Sequence, residues 1–179
     1  MRKKILALGL ALSTMMVCFT GCGEDEKAPL TRRATDESGM TVNEKYVFMA
    51  SVPGTTATVP LIMGDPASVL EELGEPTSSF TATSCAFEGE DHIYTYGTSY
   101  QVTTSTVDGN EVITCVQLLD DMVETEEGIR IGSTNHDVFE KMNVDVNETG
   151  NYQFKDGKTE LSIVVKDESV ISITYSYVE

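Results

Sequence analysis

Residues 61–74 read LIMGDPASVLEELG, and residues 129–143 read IRIGSTNHDVFEKMN. With one residue inserted in the second stretch, Val69 lies over Val138. Each copy runs through an apolar lead-in, a glycine, a small polar residue and a short apolar-periodic segment. The pattern predicts a short helix in both places. Asp65 is the expected N-cap of the first, with Pro66 at its first helical position. Ser133 or Thr134 is the expected cap of the second. Gly74 and Asn143 are both able to take the left-handed backbone that closes a helix.

Strand signals follow each helix. After the first they cover residues 92–97, 100–107 and 111–119, with turns at Gly97-Thr98 and Asp108-Gly109-Asn110. After the second they cover residues 152–155, 160–166 and 169–177, with turns at Asp156-Gly157 and Asp167-Glu168. Asp-Gly between alternating stretches is a hairpin signal. Val112 lies over Val170, an offset of 58 against 69 at the helices, so the second copy is shorter by 11 residues. The missing stretch corresponds to residues 79–90. Residues 45–50 and 55–61 read as a further hairpin turned at Pro53-Gly54, and residues 120–128 as an acidic link. The expected fold class is α+β: two tandem units, each a short helix packed on an antiparallel β-meander, over residues 44–128 and 129–179.

Alternation assigns faces. Ile171, Ile173, Tyr175 and Tyr177 are expected on one side, with Ser172, Thr174 and Ser176 opposite. Tyr100, Val102 and Thr104 likewise oppose Gln101, Thr103 and Ser105. One face should carry the helices and the other present a Ser/Thr-rich surface to solvent.

The start of the chain has a different character. Arg2, Lys3 and Lys4 precede an apolar run over residues 5–19, too short for the ~20 residues that span a bilayer. The run ends in Phe19-Thr20-Gly21-Cys22, which resembles the lipobox of bacterial lipoproteins. That resemblance implies cleavage after residue 21 and acylation, palmitate included, of Cys22. Two acyl chains anchor stably where one binds only marginally. Residues 22–43 are polar and without apolar period, as in a flexible tether. Such a tether spans about 25 Å by the square-root scaling of flexible chains.

The whole chain has 12 Lys and Arg against 29 Asp and Glu. Removing the signal leaves nine basic residues and a net charge of −20. That balance excludes nucleic acid as a partner, since binding it needs a basic face. It also leaves the lipid as the expected contact with an anionic membrane.

A helix followed by an antiparallel meander, twice, resembles the β-lactamase-inhibitor-protein-like fold. The small lipoprotein of the outer-membrane β-barrel assembly complex has one copy of a similar unit, and Gram-positive lipoproteins of that fold are more similar still. The resemblance covers about residues 45–178. It is carried by Leu73-Gly74-Glu75-Pro76, by residues 84–91 with Tyr94 and Tyr96, and by residues 125–133. The family has Pro where Glu126 stands and Tyr-Gly where this chain has Met142-Asn143. The resemblance implies an open sheet face that grips a partner.

Candidate sites are few. Cys85 and Cys115 are a candidate disulfide in an exported protein. Three strand spacings of about 4.8 Å would separate them if they open and close one meander, beyond the ~7 Å limit between bonded cysteines. Cys115 also aligns with Ile173, a buried apolar position, so two buried thiols are the alternative. His92 and His136 stand alone, without HExxH or CxxC spacing. No catalytic set, metal site or cofactor motif is expected. Tyr94, Tyr96, Tyr100 and Tyr152 are the candidate binding face, since exposed tyrosines anchor partners; strand propensity alone equally places them in a core. The functional expectation is a non-enzymatic binding or scaffolding module on the extracytoplasmic face of the cell membrane. Its partner would be a protein or an envelope polymer. The alternatives are an inhibitor of a β-lactamase or wall enzyme, and a small envelope hydrolase.

Overall fold

The computed structural model describes residues 45–179. Among the described residues, nine strands and two short helices follow one another. Strands β1 (Phe48–Ser51) and β2 (Thr58–Leu61) form a hairpin, and a 3-10 helix follows over Ala67–Leu73. Then come β3 (Ser78–Thr83), β4 (Glu88–Tyr96), β5 (Tyr100–Val107) and β6 (Asn110–Leu118). Helix α1 (Asn135–Met142) precedes β7 (Gly150–Asp156), β8 (Thr159–Lys166) and β9 (Ser169–Tyr177).

The strands do not divide into two helix-on-sheet units. Seven of them make one antiparallel sheet in the order β3-β4-β5-β6-β9-β8-β7, with β1-β2 as a separate pair. The expected tandem α+β architecture is therefore corrected to a mostly-β fold with a single sheet. The reason lies at one seam. Cys115, Val116, Gln117 and Leu118 of β6 pair with Ser176, Tyr175, Thr174 and Ile173 of β9. An isolated meander would have left both strands as exposed edges, and pairing them removes two edges at once. The sheet thus runs across the expected boundary at residue 128. The repeated sequence survives as a local contact: Pro66 bridges Val112, and Thr134 bridges Ser169.

One face of the sheet carries the core. Val102, Val116, Ile173, Leu161 and Ile163 are fully buried, with Tyr96, Tyr100 and Tyr175 nearly so. The β1-β2 hairpin lies over them through Phe48, whose ring sits 5.1 Å from Tyr100 and 5.9 Å from Tyr175. Leu70 and Leu73 of the 3-10 helix and Val138 of α1 complete the cluster.

Two bulges change the phase of the alternation. Thr114 is the extra residue in β6, between pairs Thr103–Cys115 and Thr104–Ile113. Ile171 is the extra residue in β9, between pairs Val164–Ser172 and Val165–Val170. Val170 therefore joins Ile173, Tyr175 and Tyr177 inside, while Ile171 is 49% exposed. The expected inward place of Ile171 is corrected on this ground: one inserted residue flips the face of everything before it.

The helix ends divide. Thr134 caps α1, accepting from the Asp137 N–H, while the Asp137 carboxylate accepts from the Thr134 N–H. Asn143 closes α1 in the left-handed conformation. The first helix is 3-10 rather than α, Pro66 rather than Asp65 is its cap, and no side chain caps it. Gly74 has positive φ but an extended ψ of −162°, so it leads straight into the next strand. The stretch expected as an insertion, residues 79–90, contains most of β3. Its sequence SSFTAT has no apolar alternation because it is an edge strand with five of six residues exposed.

Candidate binding surface

The second face of the sheet is uncovered among the described residues. Cross-strand register places one residue from each strand in a single row: Ser78, Thr95, Gln101, Gln117, Thr174, Ser162 and Gln153. Every member is polar and uncharged, and each is half-buried or exposed. The row spans all seven strands. Gln101 Nε2 donates to Thr95 Oγ1 at 3.1 Å, and Ser162 Oγ to Asn151 Oδ1 at 2.8 Å. Beside it runs a second row: Phe80, Ile93, Thr103, Cys115, Ser176, Glu160 and Lys155. Lys155 and Glu160 form an ion pair at 3.1 Å at its far end. Further along this face Ser105 is buried: its Oγ donates to Asp91 Oδ1 at 2.6 Å and lies 2.8 Å from Thr114 Oγ1.

The tyrosines expected as a binding face lie on the other side. Tyr96 and Tyr100 are each 3% exposed and stack on one another at 5.3 Å. Burial pushes the Tyr100 phenol up to about 12, and Tyr96 upward as well, with Tyr94 adding to the latter. Tyr100 still donates its O–H to the Ser51 carbonyl at 3.2 Å. Tyr94 and Tyr152 are half-buried against the same core. The Tyr152 oxygen accepts from the Asn147 N–H at 2.6 Å. Tyr96 and Tyr100 are therefore core residues, and the binding-face expectation is corrected for these two; Tyr94 and Tyr152 lie at the margin of that core. Strand alternation fixes the side on which they fall. The Tyr100 ring packs beneath the β1-β2 hairpin against Phe48.

The cysteines are not bonded to each other. Cys85 is exposed in the β3–β4 connection, and Cys115 is buried in β6. Cys115 faces Thr103, which faces Ile93. Cys85 thus lies two strand spacings away and several residues further along, out of disulfide reach. His136 sits on the exposed side of α1, 3.3 Å from Glu140. His92 lies in β4 opposite Thr81 and Thr104. The histidines are in different parts of the fold, and among the described residues no cluster of three metal-ligating side chains occurs.

Two recesses mark the core side. One of about 680 Å³ lies between the 3-10 helix and β4, lined by Ser68, Glu71, Glu75, Tyr94, Tyr96 and Glu111 among others. Thr104 Oγ1 donates to Glu111 there at 2.6 Å. A second of about 390 Å³ is lined by Gly64, Asp108, Asn110, Lys158 and Tyr177 among others. Neither histidine lines either recess. Among the described residues no helix is long and apolar enough to cross a membrane. Cys22 and the tether lie outside the described residues.

No protein-family model matches the chain, and no curated protein matches it. Among solved structures it is similar to an extracellular protein containing an SCP domain from Bacillus anthracis str. Ames. The match has a TM-score of 0.38 and 14% identity, over 85% of this chain and 50% of that one. The chain thus spans half the length of that protein. Likeness at this level assigns neither family nor function.

Proposed function

We propose that the chain is a lipoprotein of the extracytoplasmic membrane face, anchored through Cys22, whose β-domain is a non-enzymatic binding or scaffolding module. The observation that carries the binding role is the neutral row across the open face. Gln amides and Ser/Thr hydroxyls each offer donors and acceptors. Seven of them in register form a continuous hydrogen-bonding strip, suited to a partner that presents polar groups rather than charge. A protein surface or an uncharged envelope polymer meets that description. The anchoring rests on the basic start, the short apolar run and Thr20-Gly21-Cys22.

A Cys22→Ala chain tests the first part. It should lose palmitate labelling and leave the membrane fraction. A chain that stays membrane-bound and matures normally would overturn the anchor. The lipid-free chain should still co-sediment with isolated envelope fragments, and a Gln117→Arg/Thr174→Arg pair should abolish this without changing thermal stability. Absence of co-sedimentation, together with turnover of a hydrolase substrate panel, would overturn the binding module.

A further inference from the structure

The two edges of the seven-stranded sheet are unlike. At β7, Lys155 stands on the strand, the Lys45 N–H donates to Asp156, and the Tyr46 ring packs 6.1 Å from Phe154. Charge and covering chain are the usual guards of an edge. At β3 neither guard is present. Ser78, Ser79, Phe80, Thr81, Ala82 and Thr83 include no charge and no proline. The strand pairs with β4 without a bulge, and the opposite side of its backbone pairs with no strand among the described residues. Phe80 is 56% exposed.

The stretch of chain that carries this edge is acidic, with His92 opposite Thr81. From position 46 to position 129 the chain holds fourteen Asp and Glu and no Lys or Arg. From position 130 to the end it holds nine acidic and five basic residues. Glu75 leads into β3, and Glu88 and Glu90 follow it across the turn, all three exposed. An edge strand offers main-chain hydrogen bonds to any extended segment, and side-chain chemistry selects among segments. A negative field without local counter-charge selects a cationic one and speeds its approach.

We infer that β3 is a docking edge for an extended basic peptide segment of another protein, which adds as an eighth strand. A second copy of this chain fits poorly. Antiparallel β3–β3 pairing would bring Glu75 of one copy toward Glu88 and Glu90 of the other, and like charges oppose association. The inference uses a different surface from the open face, so either can fail alone.

The test titrates the full chain, in mild detergent, with dye-labelled octapeptides. One alternates Lys with Thr, one alternates Glu with Thr, and one is the Lys–Thr peptide with a central proline. The Lys–Thr peptide should bind and perturb amide resonances of residues 78–83. The Glu–Thr peptide should not bind. The proline, which keeps the charge but breaks the ladder, should weaken binding about tenfold, as should a Ser79→Lys/Thr81→Lys pair on the exposed strand. Gln117→Arg/Thr174→Arg should leave peptide binding unchanged. Equal binding of the straight and proline peptides would overturn strand addition. So would perturbation confined to other strands. A concentration-dependent dimer lost in the Ser79→Lys/Thr81→Lys pair would assign the edge to a second copy and overturn the peptide reading.

Discussion

Thr134 and Asp137 show how much one residue pair decides. Both halves of a capping box are present, and the Thr134 backbone and hydroxyl hold the Asp137 carboxyl below its usual range, with Lys141 and His136 adding to this. Thr134→Ala should destabilise the domain by about 1 kcal/mol in a denaturant melt. A folded-state carboxyl shifted down contributes stability that is present above its unfolded value and lost as pH falls through the folded one. The Thr134→Ala cost should therefore shrink below pH ~4. An unchanged cost there would show that the carboxylate has no part in the cap. Tyr100 titrates in the opposite direction. Its phenol is neutral in the fold and is pushed up from the ordinary 10.0 to about 12, so its contribution is complete below pH 10 and lost as pH rises through 12. Alkaline unfolding should be displaced upward in Tyr100→Phe, as thermal melts between pH 9 and 12 would show. The cap at Thr134 is legible because Ser-Thr before an apolar period has a local meaning. Asp65 has the same local signature, yet the backbone there is committed to β6: Gly64 N–H donates to Ile113 O, and Ile113 N–H to Asp65 O.

At the scale of elements, the hairpin strands were read nearly in place and β3 was not. β5 and β7 to β9 alternate over most of their length because one face is buried, whereas β3 has almost nothing to bury and so leaves no period to read. The Asp108-Gly109 turn has positive φ at both residues, as does Asp167-Glu168, where Glu168 is held by its N–H to Glu148 O and its carbonyl from Asn135 N–H. The bulges at Thr114 and Ile171 are not visible as sequence, because each exists only relative to a partner strand. The same partner geometry separates the cysteines. A membrane-impermeant thiol reagent should modify Cys85 in the native protein within the time that Cys115 remains untouched. Unfolding in denaturant should equalise them. Protection of both thiols until reductant is added would instead establish a disulfide.

At the scale of the molecule, the β6–β9 seam makes one cooperative body from two similar halves of sequence. Ile173 is fully buried, faces Leu118 across the seam and faces Ile163 on the other side. Ile173→Ala should cost about 2–5 kcal/mol. Far-ultraviolet circular dichroism and tyrosine fluorescence should give coincident unfolding curves for both the parent and the variant. Separate transitions would mean that the halves are independent. The sequence by itself determined the turns, the α1 cap, most strands, the Ser/Thr-rich character of one face and the acidic balance. These depend on residues near one another along the chain. Only the tertiary structure decided that the strands form one sheet, that Tyr94, Tyr96 and Tyr152 fall on its covered side and that the neutral side chains align into a row. It also decided which strands are edges, whereas the inward side of Tyr100, Tyr175 and Tyr177 was already given by alternation. Strand order, register and edge exposure are set by pairing between distant segments, and no local pattern records the partner.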